Sequence, residues 1–496
     1  VRRVVIIGAG AAGVFTAYRL RQLRGDVFEI VLLEQSDRIG GNALATNVTV
    51  GGRTYSIDCG AQFFAAKPQS SYVRLIADLG LTEPPSAIEA RATGLSLWDA
   101  AAGKRRLWIP AQAGGFLRYH PDDWTRLVQF ATFLIYAYLL DRDRHSNWTL
   151  SVDDWLRDLS LLGSEFKDEV VRLLLYQFVT LPADRIGEAS ARYAITYFVR
   201  TAFGEPGLDD PSPPLDSAPG FPTFQVLQSR IGLDGILQRA LTAAGVTPRL
   251  NEPVVSVSQA ADGTPRVTTT ARTIPADDVV FAIDPQSAAA TLAVGAFPAP
   301  ALIAALQQCE YDTLSIALQH GAPCWMPGDT SDWEAVNTIA DGSALRFSVW
   351  FGPLRDRLAG GEAIPVFKSW ATPDLDPAAC ASTFFSHAHR ILMPTTTFMA
   401  KREEVRSHQG KQRLWFAGGW TTWFDSQEAA LDSATDVAVR LAAPPAAMRH
   451  LVAPAAFDYD RHRARIDRWL ARVAASAPVD RRAELRRLLD RVEAQG

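Results

Sequence analysis

The chain is 496 residues long, too many for one hydrophobic core, so two or three domains are expected. Hydrophobic residues make up 48% and the mean hydropathy is −0.01, which describes a soluble globular chain with ample material for a core. A formal charge of −4 and a pI of about 6.1 argue against a nucleic-acid-binding surface.

The first predicted element is a buried parallel strand over Arg3-Val4-Val5-Ile6-Ile7, because β-branched residues fill it. Gly8-Ala9-Gly10-Ala11-Ala12-Gly13 follows, then a helix that turns Ala17, Leu20 and Leu23 inward. Gly8 permits the tight turn, Gly10 lets backbone approach a pyrophosphate, and Gly13 lets helix and strand pack closely. The helix N-terminus, with Ala11 and Ala12 in its first turn, offers unpaired N–H groups to phosphate. A second strand, Phe28–Leu33, ends in Glu34, whose carboxylate can accept from ribose hydroxyls. Gln35-Ser36-Asp37-Arg38-Ile39-Gly40-Gly41-Asn42 comes next. Arg38 can neutralise pyrophosphate charge, and Gly40-Gly41 lets main chain run against a ligand. A plain NAD-dehydrogenase domain is the alternative reading of this region.

Further along, Tyr55-Ser56-Ile57-Asp58-Cys59-Gly60-Ala61-Gln62-Phe63-Phe64 carries small residues that allow close backbone approach. Leu127–Leu140 is apolar on nearly all sides yet shorter than the roughly 20 residues a span needs, so a buried or channel-lining helix is expected. A helix is predicted from Asp184 to Phe198, setting Tyr193 and Tyr197 one turn apart. Asp209–Pro214 reads as a loop, and Gly232–Gly235 opens a helix through Ile236, Leu237 and Leu241. Pro253–Val257 and Arg266–Thr270 alternate around Ala261-Asp262-Gly263 as a hairpin, and Ala276–Ile283 returns a strand to the sheet. Strands are also predicted at Tyr311–Leu318, around Lys368 and at Phe384–Ile391, where His387 and His389 share a face. Arg413–Gly419 reads as a buried strand entering a glycine turn. Trp420–Ala434 starts loop-like and becomes a helix. In the tail, Ile466, Leu470 and Val473, then Leu485, Leu488, Leu489 and Val492, fit two amphipathic helices among arginines. They pack on the chain itself, or touch a membrane surface or a second subunit. Cysteines 59, 309, 324 and 380 form no C-x-x-C pair, so neither a metal cluster nor a disulfide framework is expected. That suits a cytoplasmic location, as does a start inside the first strand, from which no signal peptide is expected.

Three of these segments together resemble the flavin amine oxidase and phytoene desaturase superfamily of FAD enzymes. They are Glu34–Gly41 (E-x3-R-x-G-G), Asp58–Ala61 (D-x-G-A) and the closing strand, glycine turn and helix from Arg413 to Ala434. The resemblance extends over most of residues 1–443. Asp58-Cys59-Gly60 and Gly418-Gly419-Trp420 look closer to a poorly characterised branch of NAD/FAD-binding proteins. Asn42 stands where many members have Arg or His, and Gly419 where they have Glu or Asp. The resemblance implies an α/β fold with a discontinuous Rossmann-like FAD-binding domain (1–85, 225–290 and 385–443). An α+β substrate domain (86–224 and 291–384) and a helical C-terminal tail (444–496) complete it.

It also implies noncovalent FAD, since the closing motif has no cysteine and Cys59 is a poor tether. Gly8, Gly10, Ala11, Ala12, Gly13, Arg38, Gly40, Gly41 and Asn42 would surround the pyrophosphate, and Glu34 and Gln35 the ribose. Backbone at Val254 and Val255 would meet the adenine. Gly60, Ala61 and Gln62 would pass beside the isoalloxazine ring. Gly418, Gly419, Phe424, Ser426, Gln427 and Ala429 would line the ribityl chain and pyrimidine. Trp420, Trp423 and Phe424 are candidates for an aromatic wall, and Gln62 for the substrate face. The lysine that many members place near flavin N5 is missing from the Tyr311–Leu318 strand. Lys368 is a substitute, although a lysine beside a strand is ordinarily solvent-facing. With one phosphate-binding fingerprint, the flavin is expected to be reduced by its substrate. An oxidase or dehydrogenase for an apolar alcohol, amine or carbon chain follows. A flavin-bound double-bond isomerase and a non-catalytic flavoprotein in an assembly are the alternatives.

Overall fold

A computed structural model of the protein describes residues 1–25, 27–62, 64–65, 71–111, 118, 120–142, 148–202, 224–342, 344–371 and 382–443. The Asp209–Pro214 loop, Phe63, Cys380 and the whole tail from 444, with its expected surface contacts, lie outside the described residues.

The β-branched run at the start forms the strand Arg2–Ile7, fully buried from Val4 to Ile6. It takes an inner place in a four-stranded parallel sheet. Phe28–Leu33 pairs on one side, Asp278–Phe281 on the other, and Leu414–Phe416 beyond that. Parallel neighbours need crossovers, and a buried parallel sheet needs cover on both faces. Val4, Ile6, Leu32 and Val280 face the helices Ala11–Arg24, Gly232–Ala244 and Gln427–Ala442. The helix Ala11–Arg24 buries Ala17, Leu20 and Leu23 as their spacing predicts. Val5, Ile7, Val31, Val279 and Phe281 face the other way, into the core that holds Val257, Val267 and Ile274. Those three residues belong to an antiparallel sheet of Val254–Gln259, Pro265–Thr269 and Thr273–Pro275, the expected hairpin with one strand added.

A seven-stranded sheet forms the second half. Its order is Ser382–Leu392, Tyr311–His320, Val366–Ala371, Ala344–Trp350, Val336–Asp341, Leu95–Asp99 and Lys104–Ile109. The strand Ser382–Leu392 pairs with Tyr311–His320 along its length, from Ser382 opposite His320 to Leu392 opposite Tyr311. This sheet therefore runs past the division expected between residues 384 and 385. A smaller sheet joins Phe64–Ala65, Phe224–Ser229 and Ile88–Thr93.

The apolar segment near 130 is part of the 22-residue helix Pro121–Arg142. Phe130, Phe133 and Leu134 are buried within it, each contributing about 1.5–3 kcal/mol of transfer free energy. Among the described residues, no helix is long and apolar enough to cross a membrane.

Two expectations are corrected. The segment Asp184–Phe198 is a 3-10 helix, Ala183–Glu188, and a separate α-helix, Ala191–Ala202. Ala189 and Ser190 are pulled straight between them by bridges to Thr395 and Ser151. Cys324 is disulfide-bonded, although the cysteine spacing predicts no disulfide framework; Cys59 and Cys309 are free and buried.

Candidate active site

The loop after the first strand is fixed by what surrounds its glycines. Gly8 has φ +98°, and a Cβ there would lie 2.7 Å from Ala282 O. At Gly13 a Cβ would lie 1.9 Å from Gly8 O. Gly10 differs: the nearest atom to its Cβ position is Gly41 Cα at 3.9 Å. Gly10 and Gly40 form a parallel bridge, and the Gly40 N–H donates to Ala9 O at 2.9 Å. The helix Ala11–Arg24 starts at Gly10 with no side-chain cap, so its first-turn N–H groups are left for a ligand to satisfy. Two glycine backbones and an uncapped helix end make an anion cradle.

Glu34 closes one side. Its Oε2 accepts from Ala9 N at 2.8 Å, and its Oε1 from Ser36 N at 2.9 Å and Ser36 Oγ at 2.7 Å. An ionised carboxylate has about four acceptor sites, so capacity for a ribose hydroxyl is left. Gln35 beside it is exposed. Arg38 braces its own loop, donating to Ile39 O and Gly41 O at 3.2 and 2.9 Å. Asn42 ties this loop to the distant sheet: its Nδ2 donates to Arg390 O at 2.7 Å. The segment Arg249–Glu252 runs alongside Glu34, which donates its N–H to Arg249 O at 2.9 Å. Just beyond, the register of the Val254–Gln259 strand slips between Val254 and Ser256. A bulge leaves Val255 out of the ladder, so its backbone polar groups are open to a ligand. The Val255 side chain is 46% exposed there.

On the other side of the cradle, Gly60 is where three parts of the fold meet. A Cβ at Gly60 would lie 2.1 Å from Asn42 O and 3.1 Å from His389 Nε2. Lys368 Nζ donates to Gly60 O at 2.6 Å and also to Gln62 Oε1. The Gln62 carbonyl accepts from Gln228 Nε2 at 2.7 Å. Lys368 is 2% exposed, which corrects the expectation of a solvent-facing lysine. Burial brings its pKa down to about 8, against the opposing pull of Cys59 and Asp58. The adjoining Asp58 carboxyl accepts from Leu233 N at 2.8 Å, and burial raises it to about 7. The Cys59 thiol is pushed up to about 12 by burial and stays protonated.

His389, buried, and His387 stand edge to face with ring centroids 4.9 Å apart. Burial lowers His389 to about 4, so its ring is neutral at pH 7, with Nε2 3.1 Å from Asn42 O. Its place beside Gly60 was not legible in the sequence, where an alternating histidine pair is all that shows.

The closing segment does not form a single aromatic wall. Trp420 packs against Phe416, centroids 6.3 Å apart, and its ring lies over Gly418. Phe424 stacks on Tyr193 at 5.0 Å and on Trp423 at 6.2 Å, and Trp423 Nε1 donates to Asp432 Oδ2 at 3.2 Å. Ser426 Oγ caps the last helix by accepting from Ala429 N at 3.1 Å, so this expected ligand pair is occupied with itself. Among the described residues, neither the buried Oε1 of Gln427, the helix's first residue, nor Trp420 Nε1 has a hydrogen-bond partner. Gly418 N donates to Ser433 Oγ at 3.0 Å. Gly419 allows no side chain, since a Cβ there would lie 2.8 Å from Phe424 O and 3.1 Å from Asp425 Oδ1.

A family model for flavin-containing amine oxidoreductases matches residues 11–349. The chain belongs to that family. Its cofactor is FAD, and the family's members include FAD-dependent oxidases. The open face of Gly10 and Gly41, the bulge at Val255 and the orphaned Trp420 Nε1 and Gln427 Oε1 fit such a dinucleotide. The coproporphyrinogen III oxidases of Mycobacterium tuberculosis H37Rv and Mycobacterium leprae are each 39% identical to it over 82 residues. Those matches span 16% of this chain and 17% of each relative. Among solved structures, a fatty acid isomerase from P. acnes superposes with TM-score 0.60 at 14% identity, covering 88% of this chain and 98% of that one. Cyclohexylamine oxidase from Brevibacterium oxydans superposes with TM-score 0.58 at 17% identity, over 89% and 99%. At such identities the likeness is one of fold.

Proposed function

We propose that this flavoenzyme holds FAD noncovalently across the ends of its parallel sheet and oxidises an apolar amine, alcohol or carbon chain, with Lys368 handling a proton at the ring. Ligands of open α/β sheets lie outside the carboxyl ends of the strands. Gly10 and Gly41 would hold the pyrophosphate, and Glu34 and Val255, at the end of Phe28–Leu33, the adenosine. The ends of Asp278–Phe281 and Leu414–Phe416, with Gly60 and the helix Gln427–Ala442, would then hold the flavin half.

The observation that carries the reading is the buried Lys368 against Gly60 and Gln62. Bound FAD would supply the hydride acceptor, with dioxygen or another acceptor as the final oxidant. Lys368, with its pKa near 8, exists in both protonation states close to neutrality, so its Nζ can give or take a proton. Gln62 and the Gly60 carbonyl hold that nitrogen in place. Tyr193, Phe424 and Trp423 form an apolar face that orients a greasy substrate and excludes water. The first-turn N–H groups of Gln427–Ala442 favour negative charge beside them.

Anaerobic mixing of the FAD-loaded enzyme with a panel of apolar amines, alcohols and unsaturated acids tests this. Lasting bleaching near about 450 nm, the oxidised-flavin band, is expected with at least one donor class. Product formed with neither lasting bleaching nor oxygen uptake would assign isomerisation instead. No bleaching and no product, in protein that retains FAD, would overturn the reading.

A further inference from the structure

We propose that Asp425 binds the ribityl hydroxyls of FAD, its carboxylate standing in the space that a side chain at position 419 would otherwise fill. The proposal rests on the family's cofactor and on its path across the sheet, not on the identity of the substrate.

Sheet order places the ribityl chain. Pyrophosphate at the first strand and adenosine over the second leave the ribityl hydroxyls crossing Ala417-Gly418-Gly419, at the carboxyl end of Leu414–Phe416. Gly418 and Gly419 present no side-chain hydrogen-bonding group to those hydroxyls. Asp425 presents one. Its Oδ1 lies 3.1 Å from the Cβ position of Gly419, so the carboxylate sits against the glycine turn that follows that strand.

The carboxylate is also uncommitted. Among the described residues it accepts no hydrogen bond and forms no ion pair, while its backbone N–H is fixed to Tyr193 Oη at 3.1 Å. The residue keeps solvent-accessible surface, while loss of hydration at the carboxyl raises its pKa to about 6. Its neighbours are anchored. Phe424 stacks on Tyr193, and Ser426 caps the helix Gln427–Ala442. Residue 425 is thus held by both sides with its acceptors free. Hydroxyl donors satisfy such a carboxylate in its ionised form and leave it stable there.

The sign of the pH dependence follows. Hydroxyl donors lower the pKa of the carboxylate in the complex, so FAD binds most tightly above about pH 6 and loses affinity as pH falls through that value. FAD binding to deflavinated protein is measured by fluorescence quenching at pH 8 and pH 5, for wild type, Asp425→Asn and Asp425→Ala. Both variants are expected to weaken FAD by about 10- to 100-fold at pH 8, the range of a charged hydrogen bond, and to flatten the pH dependence. Riboflavin should weaken by the same factor, and lumiflavin, which has no ribityl chain, should be unaffected. Unchanged FAD affinity in both variants, or equal loss for riboflavin and lumiflavin, would overturn the assignment. Should the variants fail to fold, wild-type protein alone decides: riboflavin affinity must fall between pH 8 and 5 by more than lumiflavin affinity does. Equal falls would overturn the proposal. None of these outcomes bears on whether an apolar donor reduces the flavin.

Discussion

Lys368 Nζ lies 2.6 Å from the carbonyl oxygen of Gly60, which joins the centre of the seven-stranded sheet to the loop that follows Asp58. A charge buried at 2% exposure costs several kcal/mol unless it is hydrogen-bonded, and here it is bonded twice. Burial without a carboxylate partner at hydrogen-bond distance is what lets the group titrate near neutrality.

Replacing Lys368 with methionine keeps the stem and removes the titrating nitrogen. Flavin reduction by a substrate is expected to slow on the order of 100-fold, the lower end of what a positioned proton-transfer group contributes. The rate of the wild type should also change across a pKa of about 8, and that inflection should vanish in the variant. Stopped-flow reduction between pH 6 and 10 checks both. A variant that keeps the inflection would show that another group titrates.

Gly10 and Gly13 separate cofactor binding from folding. Gly13→Ala would force a Cβ to within 1.9 Å of Gly8 O and should cost about 2–3 kcal/mol of stability. Gly10→Ala meets nothing closer than 3.9 Å, so its thermal stability without cofactor should change by less than about 1 kcal/mol. It should nonetheless purify with much less FAD, because the methyl enters the cradle. Melting curves and the ratio of flavin to protein absorbance distinguish the two.

Glu334 gives a stability dependence of known sign. It is buried, accepts from Trp108 Nε1 at 2.7 Å, and burial raises its pKa from 4.5 to about 7. The folded state holds this proton more tightly than the unfolded state, so this group's contribution is fully present below about pH 4.5 and is lost as pH rises through about 7. The full penalty is on the order of 3 kcal/mol. Glu334→Gln should therefore melt higher than wild type at pH 8, with the gap closing at pH 5. A gap independent of pH would contradict this origin.

The helix Pro121–Arg142 offers a packing test. Leu134 is 0% exposed among aromatic neighbours, so Leu134→Ala should cost about 2–5 kcal/mol. Denaturant unfolding measures it; a loss below about 1 kcal/mol would mean that the site collapses around the deletion.

Local features were legible in the sequence, and contacts across the chain were not. Gly13 answers to Gly8 within the loop and Gly8 to its own positive φ, while Gly10 is left open, so their spacing announces the loop. The helix around Leu134 and the strand through Lys368 also show in local pattern. The direction of the Lys368 side chain does not, because it depends on which sheet face meets Gly60. His389 is hidden for the same reason, its partner Asn42 lying on another element. The break at Ala189 and Ser190 is imposed by bridges to Ser151 and Thr395, against a segment that locally favours helix. Asp425 does not stand out among its aromatic neighbours in the sequence, because its proposed role depends on Gly419 leaving it room.

The parallel sheet places the strand that opens the chain and the one at Leu414–Phe416 around the single strand Asp278–Phe281. A nascent polypeptide that has exposed its glycine loop therefore still lacks the floor on which, along the proposed path, the flavin half of the dinucleotide would lie. Translation must pass residue 416 before that floor exists. On that path, loading of the coenzyme would be a late event in biogenesis, and chains truncated before this point would emerge without their yellow colour.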